Sequence, residues 1–287
     1  MKLHIECFPC IFRQTIMTLD RVDIPDDIKM DCMFKVSEEV RAADRDKTPA
    51  HITTFIYRKI MEYANVDPYS NVKHQYNEIA MGLMPELETL IKDSDQPLWT
   101  ASRIAIAGNI IDFGLFKEFD IGAIIKRSLE PSIAVDEYLR FKEAIDRNNK
   151  ILYLLDNSGE VVFDMMLIRL LTDMGKDVTA IVKGKPIIND VTMEDASQIG
   201  LQDVCNVLDN GSDAVGTILE WCSPEFRDIY NDASLIISKG QGNFETLHKD
   251  NRNILFLFQS KCDVISRWLQ VEKGSMLLGS KTFESLR

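Results

Sequence analysis

The feature that most constrains this chain is a change of period near residue 150. Downstream, short β-rich apolar runs recur at Lys150–Leu155 (KILYLL), Val178–Val182 (VTAIV), Val204–Leu208, Leu235–Ser238 (LIIS) and Ile254–Phe258 (ILFLF). Spacers of helical length, Val161–Met174 and Pro224–Asn231 among them, separate these runs. The runs are apolar on both alternating faces, a pattern stable only in a sheet covered on both sides. Strands alternating with helices predict a Rossmann-like, mostly parallel α/β/α sandwich. Ligands of such sheets bind beyond the carboxyl ends of the strands. The residues after each run are therefore the first candidates for a site.

Upstream of that change the pattern is helical. Cys7–Leu19 spaces Ile11, Thr15, Ile16 and Leu19 along one helix, and Asp27–Ala43 repeats the spacing through Ile28, Met33, Val36 and Val40. Thr48-Pro49 suits a helix start, with Pro tolerated in the first turn, and Ile52, Phe55, Ile56 and Ile60 form its face. Asp67-Pro68-Tyr69 ends that helix, and Tyr76–Asp93 reads as another. Leu98–Ile125 is ambiguous between the halves. The expected organisation is a mainly helical domain, 1–148, packed on an α/β domain, 149–287.

Charge and composition narrow the function classes. With 33 Lys and Arg against 45 Asp and Glu, the formal net charge is −12. Such a field repels phosphate backbones, so nucleic acid is not an expected partner. No apolar run approaches the ~18 residues of a membrane-spanning helix, and MKLHIECFPC lacks the features of a signal peptide. Six Cys are too sparse in 287 residues for a disulfide scaffold, which fits reduced thiols in a cytoplasmic protein.

Three strand ends carry chemistry. After the first run comes Asp156-Asn157-Ser158-Gly159-Glu160. It reads either as a capped strand-to-helix turn or as hard oxygen ligands for Mg²⁺ or Mn²⁺. After the second comes KGKPIIND, where Asp190 is either a helix N-cap or a second carboxylate in the same crevice. Two such carboxylates repel unless a cation or proton intervenes. After the fourth comes Lys239-Gly240-Gln241-Gly242-Asn243-Phe244-Glu245, a glycine-rich turn or an anion loop that lacks the G-x-G-x-x-G spacing. Cys7-x-x-Cys10 falls short of the four ligands of a structural zinc site and has no second pair; a structural role remote from any chemistry is expected. Asn109 and Asp112 put polar groups in an apolar stretch, either as internal hydrogen-bonding groups or in a site. Ser158 has no G-x-S-x-G context.

In order along the chain, CFPC, AGNIIDFG, LLDNSGEVVFD, VKGKPIINDVTMEDA and SKGQGNFETL resemble the damage-control phosphatase family, once catalogued as domain of unknown function 89, in its archaeal and bacterial C-x-x-C branch. The resemblance implies a metal-dependent phosphatase acting on small phosphorylated metabolites such as sugar phosphates. By position it implies that Asp156, Asn157 and Asp190 hold a divalent metal (Mg²⁺, Mn²⁺, Co²⁺ or Ni²⁺). It implies catalytic roles for Asp156 and Lys239, with Lys239, Gly240 and Asn243 near phosphate. Further substrate contacts are expected from Ser158 and Glu160, and from Asn109 and Asp112 in a helical region closing over the substrate. Position 158 is Ser, not the second acid of an aspartyl-phosphate pattern, so water is the expected nucleophile. Two other classes stand beside this one. An S-adenosylmethionine-dependent carboxyl methyltransferase fits poorly, because the first strand ends in DNSG and the second in basic VKGK. A non-catalytic ligand-binding module would use the same crevice.

Overall fold

The computed structural model describes residues 1–64, 66–108 and 133–280. Its helical part comprises α1 (Cys7–Leu19), α2 (Asp26–Ala42), α3 (Pro49–Ala64), α4 (Ser70–Met81), α5 (Met84–Lys92) and α6 (Pro97–Ala107). Tyr76–Asp93, expected as one helix, is two: Gly82-Leu83 ends α4, and Pro85 sits in the first turn of α5, where its missing N–H costs nothing.

The α/β part continues with β1 (Val135–Asp136), α7 (Tyr138–Arg147), β2 (Lys150–Leu154), α8 (Glu160–Asp173), β3 (Asp177–Val182), α9 (Met193–Gln198) and β4 (Asn206–Asp209). It closes with α10 (Pro224–Asp232), β5 (Ile236–Lys239), α11 (Gln241–Leu247), β6 (Ile254–Gln259), α12 (Asp263–Leu269) and β7 (Met276–Gly279). The seven strands form one sheet in the order β1-β7-β6-β5-β2-β3-β4. Every pairing is parallel except β6 with β7, which is antiparallel. The fold is thus α/β with a mostly parallel sheet. Strands β1, two residues at the sheet edge, and β7, four residues between β1 and β6, are absent from the sequence reading.

Alternation along the strands sorts side chains to two covered faces. Ile151, Tyr153, Ala180, Ile237 and Leu257 join one core with α4 to α8, whereas Leu152, Leu154, Ile181, Ile236 and Phe256 join a second with α10 to α12. Helix α8 packs against β3 and against α4, α5 and α6, and its residues Glu160–Ile168 are buried all round. A helix so covered carries apolar residues on nearly every side. Helices α1 to α3 have a core of their own around Ile11, Val36 and Ile56. The core boundaries therefore do not coincide with a division at 148/149: α4 to α6 share the sheet's core, and β1 belongs to the sheet. The first helices dock through Val215 N donating to Thr54 Oγ1 at 3.0 Å and Arg58 Nε donating to Asp213 Oδ2 at 2.9 Å.

Candidate active site

The winding of the sheet reverses between β2 and β5, neighbours that lead to opposite edges. The crevice of such a sheet opens at that switch point. Asp156 follows β2, and Gly240 follows β5.

The loops after β2 and β3 are joined into one floor. Val191 N donates to Asp156 O at 2.9 Å, Ser158 N donates to Asn189 O at 2.8 Å, and Asn157 bridges Asp190. Asp190 does not cap α9. That task falls to Thr192, whose backbone N and Oγ1 donate to Asp195 Oδ2 at 2.9 and 2.7 Å in a capping box. The Asp190 side chain is thereby available to the crevice. Its loop carries Ile188 at φ 47°, a strained value for a β-branched residue, and Ile187 beside it is packed against Tyr57 and Tyr69.

The donor set suits a hard dication. Asn157 Nδ2 donates to Asp156 Oδ2 at 2.7 Å and to Glu160 Oε2 at 2.9 Å. With its nitrogen so engaged, the amide has its oxygen to offer. Asp190 Oδ2 is buried without a hydrogen bond. Lys183 Nζ lies 3.4 Å from it, but hydrogen-bonds the carbonyl of Gly216. Burial, reinforced by Glu160, pushes the Asp156 carboxyl above its usual range; burial takes that of Asp190 up to about 7 against the pull of Lys183. Two carboxylates made costly to ionise, beside an amide oxygen, are the complement of a divalent cation. Among the described residues no three His, Cys, Asp or Glu are grouped to hold a metal, so this set depends on the Asn157 oxygen.

Several residues expected at the substrate instead support this floor from below. Lys239 is wholly buried and does not line the cavity. Its ammonium donates to Asp164 Oδ1 at 2.6 Å, Glu160 Oε1 at 2.7 Å and Ala105 O at 2.8 Å, which uses all three protons. Burial opposes its charge, but Asp164 and Glu160 outweigh burial and raise its pKa. Expected at phosphate, Lys239 is a charge-balancing strut. Glu160 links it to Asn157. Asn243 is likewise buried, donating to Leu155 O at 3.2 Å and Lys239 O at 2.8 Å and accepting from Thr217 Oγ1 at 2.8 Å. Ser158 is buried too. Gly240 makes room for the Asp156 carboxylate, which a Cβ there would overlap. Asn109 and Asp112 lie outside the described residues.

Above the floor is a cavity of about 370 Å³. Asp156, Asn157 and Asp190 line it, with Cys7, Cys10 and Gln14 from α1 and Gln241, Glu245 and Lys261 from the loops and helix beyond β5 and β6. The cysteine pair, expected to be remote, lies on this wall: α1 folds back over the carboxyl end of the sheet. Burial raises both thiols. Burial also takes Glu245 up to about 7, although Gln241 Nε2 donates to it at 3.0 Å. No motif marks Glu245 or Lys261, although Lys261 follows the run Ile254–Phe258 and obeys the same strand-end rule. Asn77 of α4 carried no signal, yet its Oδ1 accepts from Gly159 N at 2.7 Å and ties the helical part to the Asp156 loop.

The Damage-control phosphatase ARMT1-like domain matches residues 3–277. The chain belongs to this family. A damage-control phosphatase of Archaeoglobus fulgidus is 31% identical over 96% of this chain and 98% of its own length. A second, from Pyrococcus horikoshii, is 31% identical over 99% of this chain and 100% of its own. The crystal structure of a domain-of-unknown-function-89 protein of Pyrococcus horikoshii superposes with a TM-score of 0.91 at 30% identity, covering 98% of this chain and 99% of that one. Among the described residues no helix is long and apolar enough to cross a membrane.

Proposed function

We propose that this protein hydrolyses small phosphomonoesters, sugar phosphates or damaged phosphorylated metabolites, with a divalent cation held by Asp156, Asn157 and Asp190. The observation that carries this reading is the convergence of two carboxylates and an oriented amide oxygen on the floor of one cavity at the switch point of the sheet. Membership of a phosphatase family supports it. An all-oxygen set accepts Mg²⁺, Mn²⁺, Co²⁺ or Ni²⁺.

A cation bound there supplies Lewis-acid polarisation of the phosphoryl group. The chain's own contribution is placement and exclusion. Asp156 and Asp190 supply anionic oxygens, Glu160 and Lys239 hold the Asn157 amide in one orientation, and α1 and α3 form one wall of the cavity. About 370 Å³ suits a small metabolite. Two residues beyond Asp156 stands Ser158, not an acid, so water serves as nucleophile. The six free thiols fit the reducing cytoplasm as its location.

The test is orthophosphate release from sugar phosphates, nucleotides and oxidised cofactors, with each of the four cations and with chelator. Turnover that chelator abolishes and a dication restores is expected. No release from any compound with any of the cations, or release that survives chelation, would overturn the proposal.

A further inference from the structure

We propose that Cys10 and Cys262 form a reversible disulfide that staples α1 to the loop after β6 at the rim of the cavity, with a low-molecular-weight disulfide such as oxidised glutathione as the oxidant. The cross-link stands on its own observations; its effect on turnover rests on the phosphatase reading above.

The six free cysteines fall into two groups. Cys32, Cys205 and Cys222 pack against three separate cores. Cys7, Cys10 and Cys262 line one cavity, although the chain runs from one end to nearly the other between them. Hydrolysis at a floor of hard oxygen ligands has no use for thiols. Nor do these three make a metal centre, because among the described residues no three His, Cys, Asp or Glu are grouped to hold an ion. Disulfides that form in a reducing compartment are transient and redox-sensing.

Exposure and proximity choose the pair. Cys7 is buried in the core of α1 to α3, whereas Cys10 is exposed and Cys262 half-buried. After burial, Cys262 is the strongest influence on the Cys10 thiol, ahead of Arg13. Gln241 Nε2 donates to Cys262 Sγ at 3.7 Å and holds that sulfur at the cavity wall. The two elements already meet beside this pair. Glu6, just before α1, forms an ion pair with Arg267 of α12, the helix that begins right after Cys262.

The Cys10 thiolate attacks one sulfur of oxidised glutathione, which forms a mixed disulfide and releases one glutathione as its thiolate. The Cys262 thiolate then attacks the Cys10 sulfur and releases the second glutathione. The two cysteines thereby lose two electrons and two protons, and one oxidised glutathione becomes two reduced ones. The new bond holds the two Cα atoms within about 7 Å, so α1 cannot swing away from the loop that faces it. The cavity then exchanges its contents more slowly. Excess reduced glutathione reverses both steps and frees α1.

The experiment incubates wild type, Cys7→Ser and Cys262→Ser with oxidised glutathione, blocks the remaining thiols with iodoacetamide and maps disulfides by mass spectrometry. Wild type and Cys7→Ser should both yield linked Cys10 and Cys262 peptides, and Cys262→Ser should stop at glutathione on Cys10. Oxidised wild type should melt at least ~3 °C higher, because the cross-link closes a very long loop in the unfolded chain. It should also lose at least ~5-fold in kcat on the best substrate found, regained with dithiothreitol. Cys10 and Cys262 peptides that stay unlinked in wild type, or a Cys7–Cys10 disulfide in their place, overturn the proposal. Cross-linked wild type with undiminished turnover overturns the control of the cavity by α1. Protein that cross-links as stated yet hydrolyses nothing in either state leaves the disulfide standing and overturns the phosphatase reading instead.

Discussion

Gly240 and Asp156 share one small volume: a Cβ on residue 240 would overlap the Asp156 carboxylate. Gly240 also holds φ 78°, which other residues rarely adopt. The glycine after β5 thus acts through the acid after β2. Gly240→Ala should displace the Asp156 carboxylate and lower Mn²⁺ affinity by at least ~10-fold, while the circular dichroism spectrum stays that of a folded protein. Unchanged affinity in a folded variant would show that Asp156 does not need that space.

Lys239 is predicted to matter for stability before substrate binding. Removing its ammonium leaves the buried carboxylates of Glu160 and Asp164 without their shared cation. Breaking one partner out of a buried charge cluster costs about 3–5 kcal/mol. Lys239→Met should therefore lower the denaturation midpoint sharply. Lys239→Met with Asp164→Asn should recover part of the loss, because one of the stranded charges is gone. A single variant as stable as wild type would mean that these carboxyl groups are protonated in the native protein.

Glu245 supplies a pH dependence of known sign. Burial raises its folded-state pKa to about 7, from an ordinary value of 4.5. The folded protein therefore binds more protons than the unfolded chain between those values, and stability falls as pH rises from about 4.5 to 7. Glu245→Gln should remove this contribution, on the order of 3 kcal/mol, and gain most in melting temperature above pH 7 relative to wild type. Equal gains at pH 5 and pH 8 would show that the Glu245 charge is not what varies.

The sequence revealed the sheet because strands apolar on both faces leave a pattern that surface helices cannot mimic. Five of the seven strands were legible on that ground, and the two missed were the two-residue edge strand β1 and its four-residue neighbour β7. The acids Asp156 and Asp190 were legible because strand-end position is local information. What those acids require was not. That Lys239 points beneath the floor depends on α8 delivering Glu160 and Asp164 to it, a contact across 75 or more positions of the chain. That Cys7 and Cys10 face the crevice depends on how α1 docks, and the helical period alone does not set docking. Lys261 was legible in principle, as a strand-end lysine, but only the cavity separates it from Lys239.

The proposed metal site is one set of atoms, and titration of the metal-free protein with Mn²⁺ tests it most directly, in wild type, Asp156→Asn and Asp190→Asn. Each substitution keeps the side chain's size and removes an anionic oxygen on which a hard dication depends. Wild type should bind about one Mn²⁺ per chain, and each variant should lose at least ~10²-fold in affinity while remaining folded. Wild-type stoichiometry and affinity in both variants would contradict the account.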